Sequence, residues 1–168
     1  MSTELRHRTM PAWATWVGLA LFLLLAFATG FIGNLAQGDD VQARYLSFER
    51  PAWAPPADVF GVVWPLLYLL IGVAGWRVWR AAGSVGAAAG ALGLWVAQLV
   101  LNAAWPGVFF GINEFGAAVA VVVALDVVVI ATIVAFWRHD VLAAWLLVPY
   151  LIWILYATAL NIALLVLN

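Results

Sequence analysis

Trp64 and Tyr68 stand four residues apart, as do Gln98 and Asn102, and Trp153 and Ala157, with Asn161 one turn beyond the last pair. On a helix, residues three or four apart lie on one side, so each pair gathers aromatic or carboxamide groups on a single face. Indoles and phenols offer flat apolar surfaces with one donor each, and carboxamides offer both donors and acceptors. Two uses follow. The amides hydrogen-bond between helices, at about 0.6 to 2 kcal/mol per contact inside a membrane. Alternatively the aromatics wall a slot for a flat apolar guest and the amides orient it, the usual composition of a small-molecule pocket.

Acid–base and metal chemistry are poorly supplied. The two histidines, His7 and His139, fall at the edges of apolar segments, there are three serines, and cysteine is absent. No catalytic triad, metal cluster or thiolate site is apparent, nor a glycine-rich phosphate loop. Any catalysis would be redox or photochemical, through aromatic side chains and the guest itself.

The elements that position these residues follow from composition. Of 168 residues, 67% are hydrophobic and 9% charged, and the mean hydropathy is +1.07. Soluble domains carry about 25% charged residues, so this chain lacks the polar groups to coat a water-facing surface. It reads as an all-α integral membrane protein. Seven arginines, no lysine and eight acids give a net charge of −1, without the basic patch that nucleic-acid binding needs.

A spanning helix requires roughly 20 apolar residues, and five stretches qualify: about 11–36, 57–79, 86–111, 115–137 and 141–167. The first is too long for a cleaved signal segment and is expected to stay. Three of the four connections are very short, so the chain is expected to form one five-helix domain over residues 1–168, its neighbours antiparallel. Arg6, Arg8, Arg77, Arg80 and Arg138 fall on one side and only Arg44 and Arg50 on the other. The positive-inside tendency then puts the N-terminus in the cytoplasm and the C-terminus outside.

Trp13, Trp16, Trp76, Trp79, Trp137 and Trp145 sit near span ends, where indoles settle at headgroup level. Trp64, Trp95, Trp105 and Trp153 lie deeper. At 1.5 Å per residue, Trp64 and Tyr68 lie roughly 10 and 16 Å below the outer end of the second span. Asn102 and Trp105 lie roughly 13 and 9 Å below the end of the third. Trp153, Ala157 and Asn161 lie roughly 21, 15 and 9 Å below the end of the fifth. Three spans thus aim their unusual residues into the same outer half. Unpaired polar groups in hydrocarbon cost several kcal/mol, so these are expected to face inward.

The one long connection, about 38–56, contains Pro51, Pro55 and Pro56, which fix φ and favour extended backbone. It would carry Trp53 on a stiff strap, as a lid over the cluster or as an interfacial anchor. Asp58 suits the start of the second span, where a carboxylate meets free N–H groups.

Four segments in order resemble the tryptophan-rich sensory proteins, relatives of the mitochondrial translocator protein (the peripheral-type benzodiazepine receptor). RYLSFERPAWAPP, residues 44–56, resembles the family pattern W-Y-x-x-L-x-K-P-x-W-x-P-P, and Trp64 to Tyr68 resembles W-x-x-L-Y. QLVLNAAWPGVFFG, residues 98–111, is similar to Q-L-x-L-N-x-x-W-x-x-x-F-F-G, and PYLIWILYATALN, residues 149–161, to P-Y-L-x-W-x-x-x-A-T-x-L-N. The resemblance covers roughly residues 15–168. It implies a five-helix bundle whose pocket opens toward the first loop, and a receptor or sensor that binds tetrapyrroles such as protoporphyrin or haem, with a role in their transport or regulation. No obligatory cofactor or metal is implied. The ligand-binding positions it carries over are Trp64, Tyr68, Asn102, Trp105, Trp153 and Ala157; Trp53, Gln98 and Asn161 join them from the residue reading. The alternative implied is a light-dependent porphyrin-degrading enzyme using Trp64 and Trp153.

Departures from the pattern are Arg44, Phe48 and Arg50, where the family has Trp, Leu and Lys; both arginines suit pairing with porphyrin propionates. Ala117 stands where the vertebrate protein has an aromatic residue, which loosens one wall. The C-terminal IALLVLN lacks the Tyr and basic residue of a sterol motif, itself a weak pattern. Two features lie outside the motifs. Asp126 sits in the middle of the fourth span, where an ionisable group marks a functional site by default, or is protonated and bonded to a neighbouring helix. Gly86 and Gly90 form a small-x-x-x-small face, suited to a homodimer through the third span or to tight contact within one bundle.

Overall fold

The computed structural model describes residues 11–168; Arg6, His7 and Arg8, which enter the charge count above, lie outside the described residues. The chain is all-α, with five segments long and apolar enough to cross a membrane: Ala12–Ala36, Ala57–Ala82, Gly86–Gly111, Phe115–Trp137 and Val141–Leu167.

The first span is one helix, α1 (Ala12–Ala36), followed by Gly38 in the left-handed region at φ 79°, a conformation open to glycine without a Cβ penalty. A short helix, α2 (Val41–Ser47), follows. Here the structure differs from the expected extended strap, because the prolines begin only at Pro51 and nothing before them prevents coiling. The second span, α3 (Ala57–Ala82), starts directly after Pro56 with Asp58 in its first turn, and stops at Gly83, φ 77°. Pro65 lies inside α3 and leaves the Gly61 carbonyl without its helical donor.

The third span begins with a 3₁₀ turn at Gly86–Ala88, continues as α4 (Ala89–Pro106), and ends in a π turn, Gly107–Gly111. Pro106 cannot donate to the Asn102 carbonyl, and the ladder shifts register, Ile112 N–H reaching Gly107 O at 3.0 Å. The C-terminal end of α1 crosses here. A Cβ on Gly111 would stand 2.8 Å from Ala36 O, so the close approach requires glycine. After α5 (Phe115–Trp137) the fifth span divides into α6 (Val141–Leu146) and α7 (Val148–Leu167). Pro149 causes the division, since it offers no N–H to Trp145 and disfavours helix at Val148.

The half of the bundle away from α2 is solid. Ile71, Ala74, Val78, Trp95, Phe136, Ala143 and Tyr150 are almost fully buried in one cluster. Trp95 belongs to this core, its indole N–H donating to Ile71 O at 3.0 Å. Trp13, Trp16, Trp137 and Trp145 are exposed on the surface. Trp76 is half-buried with its N–H on Thr15 O at 3.0 Å, and Trp79 packs over Gly18; these two tie α1 to α3. On the same side Asp140 accepts from Ala143 N–H at 2.9 Å, capping α6, and pairs with Arg77 at 2.9 Å.

Candidate functional site

Above the solid core the halves of α1, α3, α4 and α7 nearest α2 part around a cavity of about 810 Å³, within the range in which proteins bury drug-sized ligands. Trp64 and Tyr68 come from α3, Asn102 and Trp105 from α4, and Ala157 and Asn161 from α7, and all six line it. Three spans thus meet at one chamber. Its aromatics are ordered in pairs: Trp64 stacks on Tyr68 with centroids 5.4 Å apart, and Trp105 on Phe109 at 5.1 Å.

Two of the carboxamides, Asn102 and Asn161, act between helices. Tyr68 Oη donates to Asn102 Oδ1 at 2.9 Å, and Asn102 Nδ2 donates to Tyr150 Oη at 2.9 Å, so one side chain on α4 joins α3 to α7. Trp105 Nε1 donates to Asn161 Oδ1 at 3.2 Å, while Asn161 Nδ2 donates to Ala157 O at 2.7 Å. Each amide meets partners that hydrocarbon would deny it, and the linkage fixes the rings it holds. The interhelical use weighed from the sequence is therefore realised at residues that also line the cavity.

Three sequence candidates lie elsewhere. Gln98 is buried below the cavity floor with no protein partner for its carboxamide. Trp153 sits behind the wall, edge-on to Phe60 at 5.8 Å, and borders a small side pocket of about 30 Å³ whose walls include Phe60, Trp64, Asn102 and Ala157. Trp53 is half-exposed against the middle of α7, edge-on to Tyr156, whose hydroxyl donates to Trp53 O at 2.8 Å. It anchors the loop there and does not line the chamber.

The covering of the chamber falls to α2 instead, through Val41, Gln42 and Tyr45. Tyr45 Oη donates to Pro55 O at 2.9 Å and its ring meets Phe60 edge-on at 5.5 Å. Burial pushes the Tyr45 phenol above its ordinary range, with Arg50 partly opposing the shift. Arg44 donates to Phe110 O, Arg50 lies over the Tyr45 ring at 5.0 Å, and the Glu49 backbone exchanges hydrogen bonds with Asn168. The two arginines expected to meet propionates are thus engaged in holding the loop and do not line the cavity. Among the described residues that do line it, Asp58 is the one carboxylate, and none is His, Cys, Met, Arg or Lys.

The first span contributes a wall the sequence reading did not assign: Phe27, Gly30, Phe31, Asn34 and Gln37. Gly30 admits the Tyr68 ring, onto which a Cβ there would fall. Phe31 and Val62 line the cavity while remaining 64% and 74% exposed, so the chamber opens sideways between α1 and α3 as well as toward the loop. The signals in the sequence were faint: two glycines three apart and one asparagine in an otherwise uniform apolar run.

The family model described as TspO/MBR family matches residues 10–167. A tryptophan-rich protein TspO from Archaeoglobus fulgidus is 39% identical, the match covering 89% of this chain and 96% of that protein. The human translocator protein is 36% identical over 87% of both chains. A tryptophan-rich sensory protein of Cereibacter sphaeroides is 38% identical, over 87% of this chain and 88% of its own.

Proposed function

The chain belongs to the TspO/MBR family, and from that premise we propose that this membrane protein is a receptor or sensor for a tetrapyrrole or similar planar apolar ligand, seated in the chamber between α1, α3, α4 and α7. The observation that carries the reading is the pairing of Trp64 with Tyr68 and Trp105 with Phe109 around about 810 Å³. Flat aromatic walls favour a flat guest through offset stacking. The polar groups at the periphery, Asn34, Gln37 and Gln42, suit the carboxylate edge of a porphyrin better than the floor does, where the Asn102 carboxamide is already engaged by Tyr68 and Tyr150.

The absence of His, Cys and Met among the described lining residues leaves a haem iron without its commonest protein ligands. Recognition then rests on the macrocycle, and metal-free protoporphyrin is the preferred probe. The closed inner core supports sensing or regulated delivery over a continuous channel. The charge bias of the loops supports a cytoplasmic N-terminus, and the open glycines of the third span support a homodimer. Light-dependent porphyrin degradation is the second reading, favoured by the presence of both Trp64 and Trp153 in the lining of the small side pocket.

The test is an equilibrium titration in lipid nanodiscs with protoporphyrin. Ala157 lines the chamber, and Ala157→Leu fills part of it, so affinity falls about tenfold or more, equivalent to about 1.4 kcal/mol. Equal affinity in the two proteins removes the chamber as the site.

A further inference from the structure

Asp126 takes no part in the chamber, yet it is 93% buried, counting from its 7% exposure. It stands eleven residues from either end of α5, at about the bilayer midplane by helical rise. Oδ2 lies 2.7 Å from Thr158 Oγ1 on α7, and Oδ1 has no protein partner. The same Thr158 Oγ1 lies 3.0 Å from Ile154 O. A threonine hydroxyl has one hydrogen to give and two lone pairs to offer.

The surroundings decide how those groups are protonated. α5 packs against α4, the π turn, α6 and α7. None of these segments contains Arg, Lys or His, and their ionisable side chains are the phenols Tyr150 and Tyr156 alone. Asp126 is itself the single charged residue of α5. A carboxylate here would be a buried charge with one donor, one bare oxygen and no cation, the arrangement that buried ions avoid. With a proton on Oδ2 the geometry closes: Asp126 donates to Thr158 Oγ1, and Thr158 gives its own hydrogen to Ile154 O.

We propose that Asp126 is a proton-binding site, held as the neutral acid at physiological pH and acting as the hydrogen-bond donor that ties α5 to α7 behind the ligand-facing Ala157. The tie lies one residue along α7 from that wall, so the proton fixes the register of α7 against α5. This inference stands on the Asp126–Thr158 geometry alone and does not depend on which ligand the chamber takes.

Infrared spectra of the full-length protein in nanodiscs at neutral pH test it through the carbonyl stretch of a protonated carboxyl. The wild type should show one such band, which Asp126→Asn removes and Thr158→Val displaces. A wild-type spectrum without the band, or a band that survives Asp126→Asn, overturns the proton assignment. A band unmoved by Thr158→Val overturns the hydrogen bond to α7. Thr158→Val leaves residue 126 untouched, so it decides the matter even where Asp126→Asn fails to fold.

Discussion

The Tyr68 hydroxyl points its hydrogen at Asn102 Oδ1, 2.9 Å away, and Asn102 passes the connection on to Tyr150 at the same distance. Three helices are joined by a carboxamide whose donor and acceptor are both engaged, at the floor of the chamber. The ring that stacks on Trp64 is held by this link, so bundle stability and pocket shape share one residue.

Asn102→Ala breaks both bonds and leaves two buried phenols unpaired. The expected loss is about 1–4 kcal/mol, from roughly 0.6 to 2 kcal/mol for each of the two interhelical bonds. Tyr68→Phe removes one bond and should cost less. Thermal unfolding of each variant in nanodiscs checks the order, and equal stability of Asn102→Ala and wild type contradicts the link.

At the other end of the bundle Asp140 joins α3 to α6. Burial raises its carboxyl, but the Ala143 N–H and the Arg77 guanidinium outweigh that and hold it below the usual range. Its contribution to stability is therefore complete above the unfolded value of about 3.9 and fades as pH falls through the lower folded value. Asp140→Asn should lower the melting temperature at pH 7, and the gap between the two proteins should narrow as the pH falls below the ordinary carboxylate range. A gap that does not narrow on acidification excludes the ion pair as its source.

Much of the fold was legible because its signals are periodic or compositional. Five apolar runs fixed the spans, and helical spacing fixed which residues share a face. Periodicity supplies direction, not the position of a floor. Gln98 lies on the Asn102 face but one turn deeper, within solid core, and Trp153 lies on the Ala157 face with Phe60 edge-on to it. For Trp53 the choice between lid and anchor stayed open for a different reason: loop backbone has no period, and its place is set by Tyr156 and by the helix that forms before the prolines. The contribution of α1 was hidden because a span apolar on every side gives no contrast between lipid and cavity.

Gly86, Gly90 and Gly93 face open space, with no atom within 4 Å of a built Cβ, and Val96 and Val100 are exposed on the same span. The bundle itself does not use this small-residue face, and the homodimer proposed above would pack through it. In a chain without cysteine, Gly86→Cys should cross-link to a covalent dimer in lipid, while Gly61→Cys, equally open but on α3, should not. Equal cross-linking at both positions, or at neither, excludes a specific interface there.

The most direct measurement of the central claim is which tryptophans a bound porphyrin quenches. Protoporphyrin added to protein in nanodiscs should quench intrinsic fluorescence saturably at one ligand per chain. Trp64→Phe and Trp105→Phe should each remove a large part of the quenched signal, and Trp13→Phe and Trp137→Phe should remove little. Quenching that never saturates, or that follows the lipid-facing indoles at Trp13 and Trp137, contradicts a ligand seated in the chamber.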